Sequence, residues 1–135
     1  MREGDPLHIV SRKVTQDDIV KYAEVSHDFN PIHVDEVYAE ATQFGSTIAH
    51  GMMIAASISE IMTLAFKDEW LNSGRLKIRF RSPVFPGDIV TTSGRVKSVK
   101  EDNIGKETTC TVEVRRQNGI IAIAGTASVY NCSGD

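Results

Sequence analysis

The octapeptide Ser26-His27-Asp28-Phe29-Asn30-Pro31-Ile32-His33 sets a carboxylate and an imidazole five positions apart across a turn, instead of along one helix face. Asn30-Pro31 supplies the turn, because proline fixes its own φ and pushes the residue before it out of helical geometry. The spacing predicts a helix ending just before Asp28 and another beginning after the proline, with Asp28 and His33 on the loop between them. Rigid elements commonly present reactive groups on such loops. Two titratable groups aimed at one point suit proton transfer. Each alone has a plainer reading: Asp28 as a turn cap, His33 as a donor to a nearby carbonyl. Ser26-His27-Asp28 is no hydrolytic triad, since adjacent side chains diverge. A zinc site from His27, His33 and His50 would match none of the usual ligand spacings, so neither metal nor cofactor is expected.

The elements that must position this loop can be read on either side of it. Thr15-Gln16-Asp17-Asp18 has the form of an N-cap with an acidic first turn, and Ile19, Val20, Tyr22, Ala23 and Val25 continue at helical spacing. Asp35 can cap a short helix through Val37, Tyr38 and Ala41, ended by Gly45, which leaves His33 just outside it. From Ala49 to Phe66 the chain is apolar on nearly every side, predicting a core helix enclosed by the rest of the fold. Glu60 interrupts that run, and its uncharged stretch falls short of the ~20 apolar residues a bilayer requires.

At Leu76 the period changes to two. Leu76, Ile78 and Phe80 alternate with Lys77, Arg79 and Arg81, predicting a strand with one buried and one solvated face. Ser82-Pro83-Val84-Phe85-Pro86-Gly87-Asp88 breaks the strand, and β-rich runs follow at Ile89–Lys100, Lys106–Gln117 and Ile120–Asn131. Turn signals at Asp102-Asn103-Ile104-Gly105 and Asn118-Gly119 join them into an antiparallel meander. Helices followed by such a sheet indicate an α+β fold, one domain across residues 1–135. Met1 to Pro6 and Ser133 to Asp135 are expected to be loose ends.

Composition narrows the partners. A net charge of −3 with no dense Lys/Arg run argues against nucleic acid. Nothing supports membrane binding, and the N-terminus lacks the apolar core of a signal peptide, so a cytoplasmic location is expected. Cys110 and Cys132 show neither CxxC spacing nor a disulfide framework and are read as reduced.

Three segments in order, Ser26 to His33, Ile48-Ala49-His50-Gly51-Met52 and Ser82 to Asp88, resemble the MaoC-like family of R-specific enoyl-CoA hydratases and acyl-thioester dehydratases. The resemblance runs from Val14 to Tyr130. It implies a hot-dog fold, in which a curved sheet wraps the long helix, and a homodimer formed by joining the sheets of two protomers. It also implies a hydro-lyase of fatty-acid metabolism acting on an acyl-CoA or acyl-carrier-protein thioester.

Carried over by position, the catalytic pair falls on Asp28 and His33, which would hold one water between them while Asn30 braces the loop. Gly51 becomes the candidate for stabilising charge on the thioester oxygen. It opens the long helix, where N–H groups lack intrahelical partners, and it has no Cβ to block the substrate. One such donor contributes about 3 kcal/mol to transition-state stabilisation. The family's helix serine lands on Ser59, whose hydroxyl would face the loop and orient the water. Two departures stand out: His27 occupies a position that is commonly glycine, and Ser46-Thr47 one where proline is frequent.

The remaining motif residues have structural readings. His50 is read as a structural partner at the helix start, the methionines as core filling with one or two touching the acyl chain, and Lys77, Arg79 and Arg81 as a solvated strand face. The leading expectation is R-specific hydration of a 2-enoyl-CoA. Alternatives are dehydration of a 3-hydroxyacyl group on carrier protein, acyl-CoA binding without turnover, and, weaker, thioester hydrolysis.

Overall fold

Thr15 starts the first helix by a reciprocal cap: its hydroxyl accepts from Asp18 N at 3.1 Å and its own N–H donates to the Asp18 carboxylate at 3.1 Å. The computed structural model describes residues 1–132, so the expected loose end at Ser133–Asp135 lies outside the described residues. In chain order the elements are β1 (Val10–Lys13), α1 (Gln16–Ser26), α2 (Pro31–Val34), α3 (Glu36–Glu40) and α4 (Gly51–Phe66). They continue with α5 (Asp68–Ser73), β2 (Arg75–Phe80), β3 (Ile89–Glu101), β4 (Gly105–Arg116) and β5 (Ile121–Cys132). No described helix is long and apolar enough to cross a membrane.

The strands form one antiparallel sheet in the order β1-β3-β4-β5-β2. The expected meander is its centre, β3-β4-β5. Two one-residue bulges interrupt the ladders, at Lys97 between the Val96–Cys110 and Ser98–Thr109 pairs, and at Ala122 between the Ile123–Val114 and Ile121–Arg115 pairs. Bulges bend a strand and increase its twist. The curved sheet packs on α4 through β3, β4 and β5, and the two share one core that includes Ile58, Ile61, Met62, Val96, Val114 and Ile123. This is the hot-dog arrangement, an α+β fold.

Three sequence expectations need correcting here. The long helix is not enclosed: Ile54, Ala55, Ile58, Ile61 and Met62 form its buried stripe, while Met52 and Leu64 are 61% and 46% exposed. A single sheet covers only one side of a helix. Strand β2 likewise has no fully buried face, because it is an edge strand: Leu76 and Phe80 are 38% and 55% exposed, and only Ile78 is partly packed. The N-terminal segment is not loose, since Gly4 N and Leu7 N donate to Val96 O and Gly94 O at 2.8 and 2.9 Å, and Leu7 is buried. Glu60, the charge that interrupts α4, is answered by Arg12 of β1 at 3.0 Å.

Candidate active site

The reactive loop is built by successive backbone captures. Helix α1 stops at His27, whose backbone is left-handed at φ 63°. Ser26 Oγ then accepts from Asp28 N at 3.2 Å, Asp28 Oδ1 from Asn30 N at 3.3 Å, and Asn30 Oδ1 from Ile32 N at 3.1 Å. Each short polar side chain turns the chain once. Pro31, with no N–H to lose, occupies the first turn of α2. His33 therefore sits inside a one-turn helix that the sequence reading left as loop, while Asp35 caps α3 as expected. The Asn30 side chain is spent on the cap and does not line the cleft.

The other two motifs lock onto this one. Ile48 N donates to Ile32 O at 3.1 Å and Ala49 N to Val84 O at 2.8 Å, so the middle segment is pinned between the first and the third. Thr47 is buried and donates to Gln16, whose amide in turn donates to His33 O at 2.9 Å. The third motif is held by Asp88, which accepts from Phe85 N, Arg116 Nε and Gln117 Nε2 at 2.8, 2.9 and 2.8 Å. Burial alone would raise the Asp88 carboxyl, but these donors outweigh it and hold the group below its ordinary value.

Together the motifs wall a cleft of about 540 Å³. Asp28 and His33 line one side, the amino end of α4 another, and Phe80 to Val84 a third. His33 Nδ1 lies 2.8 Å from Ile48 O. A carbonyl only accepts, so Nδ1 carries a proton and Nε2 is left on the other side of the ring. Nε2 lies 4.0 Å from Asp28 Oδ2. The gap is too long for a direct hydrogen bond, but a water at ordinary distance from both atoms fits it with an angle of about 90° at its oxygen.

At the helix, the first hydrogen bonds run from Met53 N and Ile54 N to His50 O, leaving the N–H groups of Gly51 and Met52 ahead of the ladder. A methyl at Gly51 would lie 2.7 Å from Phe80 Cε1, so this glycine is set by the aromatic ring as well as by access to the helix end.

Asp28, His33 and Gly51 are thus brought together, and Ser59 is not. Its hydroxyl accepts from Trp70 Nε1 at 2.8 Å and lines a separate depression with Thr63, Lys67 and Leu71. The reason is α5, which the sequence reading missed and which folds Trp70 back over that turn of α4. His50, read as a structural partner at the helix start, stands at the N-cap of α4 and also lines the cleft, buried, with its ring stacked on His33 at a centroid distance of 3.8 Å. Its place directly before Gly51 was the available signal.

Ligating atoms of Asp28, His33 and His50 lie within 4.8 Å of one another, a set different from the His27-containing one weighed from sequence. The two rings face each other at an interplanar angle of 24°, which keeps their in-plane lone pairs side by side and not convergent, so the set does not fit a metal.

Comparison with known proteins places this geometry in a family. The MaoC like domain matches residues 2–118. An (R)-specific enoyl-CoA hydratase of Aeromonas caviae is 31% identical over 120 residues, 89% of this chain and 88% of that protein. A second (R)-specific enoyl-CoA hydratase, from Rhodospirillum rubrum, is 32% identical over 131 residues, 96% of this chain and 87% of its own. The solved structure of the (R)-hydratase from A. caviae involved in PHA biosynthesis aligns with a TM-score of 0.81 at 31% identity, covering 96% of each chain. Sequence and architecture agree along most of the length, and the chain belongs to the MaoC-like domain family.

Proposed function

We propose that the cleft hydrates the double bond of a 2-enoyl-CoA to give an R-3-hydroxyacyl-CoA, and catalyses the reverse dehydration. The observation that carries the reading is the 4.0 Å gap between Asp28 Oδ2 and a His33 Nε2 left free by the Nδ1 bond to Ile48 O. A water in that gap gives one proton to Nε2 while its other hydrogen is held by the Asp28 carboxylate, and its oxygen attacks C3 of the enoyl group. Electrons move through C2 to the thioester oxygen, where the Gly51 and Met52 N–H groups and the positive end of α4 meet the developing charge. The imidazolium then returns its proton to C2, so the water is added in full and both residues end as they began.

Crotonyl-CoA tests this directly, through loss of the conjugated thioester absorbance. The wild type should turn it over, and Asp28→Asn and His33→Gln should each lower kcat by roughly 10²- to 10⁴-fold. Undiminished turnover in either variant would sink the mechanism.

The working unit in this reading is a homodimer. Support comes from the edge position of β2 and from the apolar side chains it and α4 leave exposed, Leu76, Phe80, Met52 and Leu64. Two unpaired cysteines suit a reducing compartment, the cytoplasm, where acyl-CoA chemistry of fatty-acid metabolism would supply the substrate.

A further inference from the structure

We infer that His50 is a positioning residue that holds the Asp28 loop and the His33 ring in register with the amino end of α4. The inference rests on the hydratase reading above. His50 Nε2 lies 2.9 Å from the backbone oxygen of Asp28 and, facing a carbonyl, must be the protonated nitrogen. Its ring stacks on His33 with centroids 3.8 Å apart, and Tyr22 tilts against it at 4.8 Å. The residue is 2% exposed and is joined by a peptide bond to Gly51. One side chain therefore touches the supports of both reacting groups and begins the helix that offers the N–H groups.

The holds it adds are ones those groups otherwise lack. The Asp28 side chain is 53% exposed, and its carboxylate is tied within the loop by Asn30 N alone, at 3.3 Å. His33 is fixed in its ring plane by Ile48 O, and the His50 stack bears on the face of the ring and so on its tilt.

The unused nitrogen makes the case sharper. His50 Nδ1 is buried and has no hydrogen-bond partner among the described residues. An unmet buried lone pair lowers stability, and a phenylalanine of similar shape would avoid it. Packing alone would be better served by that residue. What histidine adds is the donor to Asp28 O, so the position trades stability for placement of the loop.

Two substitutions separate the parts. His50→Phe keeps a stacking ring and removes the donor, whereas His50→Gln keeps an N–H donor and removes the ring. With His50→Ala as the baseline, crotonyl-CoA hydration should fall about 100-fold in kcat, and the Phe and Gln variants should each recover part of it. KM should stay within about twofold throughout, because His50 acts through other residues and not on the substrate. His50→Phe should melt at or above the wild-type temperature.

Wild-type kcat in both the Phe and Gln variants would overturn the inference, as would a loss confined to KM or one that follows the melting temperature. If His50→Phe fails to fold, the Gln variant decides on the same kcat criterion. Amide hydrogen exchange gives a readout independent of turnover: Asp28 and Asn30 should exchange faster in His50→Phe, and unchanged exchange would count against positioning. An inactive wild type, or a fully active Asp28→Asn, overturns the hydratase reading instead.

Discussion

His27 is held left-handed at φ 63°, a conformation that places its Cβ against the chain and that glycine adopts freely. Glycine, the residue the resemblance leads one to expect here, would end α1 at lower cost. His27 is not among the residues that line the cleft, and it is exposed. His27→Gly should stabilise the protein by about 0.5–1 kcal/mol, the left-handed penalty less the extra unfolded-state entropy of glycine. Thermal or urea unfolding would measure it, and a destabilised variant would show that the imidazole has a partner that matters. At this scale the sequence was most legible where contacts are local. The Asp28–Asn30–Pro31–His33 turn is made by residues within a few positions of one another, so its geometry follows from their types. Ser59 was misplaced because its partner, Trp70, is delivered by a neighbouring helix and not by the motif.

Elements were legible in proportion to their length and period. Helix α4 and the strands β3 to β5 span many residues with clear patterning, and their expected limits fall close to those observed. By contrast β1 has four residues and α5 has six, too few for either period to show. Between elements, the third motif matters as a brace. Asp88 ties the turn at Phe85 to Arg116 and Gln117 at the end of β4, and its side chain is only 8% exposed. A carboxyl held below its unfolded value near 4 adds stability that is fully present above that pH and is withdrawn as pH falls through the folded value. Melting temperature should accordingly drop below about pH 4. Asp88→Asn should cost about 2–3 kcal/mol at neutral pH, by stranding Arg116, and should flatten that acid limb. Melts across a pH series on both proteins would check the two effects together; an unchanged acid limb in the variant would assign it to other carboxyls.

For the whole molecule, the surface left uncovered says most. Helix α4 was expected to be enclosed and instead shows Met52 and Leu64 to solvent, on a chain whose last strand before the third motif is an open edge with Leu76 and Phe80 exposed. A periodicity reading cannot distinguish burial within one chain from burial between two, since both require the same apolar residues. Sedimentation at micromolar concentration should give about twice the 14.9 kDa chain mass. Leu76→Asp should lower that mass toward the single chain while the circular dichroism of the fold persists; a monomeric wild type would remove the dimer from the proposal.

The bulge at Ala122 bears on how such a scaffold changes its substrates. The Ala122 carbonyl accepts from both Arg81 N and Ser82 N, at 2.7 and 3.3 Å, so the corner where the chain leaves β2 for the third wall of the cleft turns on one atom. Removing or adding one residue there would shift Ser82 and Pro83 between two fixed posts, Phe80 paired with Ile123 and Val84 held by Ala49 N, altering the width of the opening while the Asp28 and His33 jamb stayed where it is.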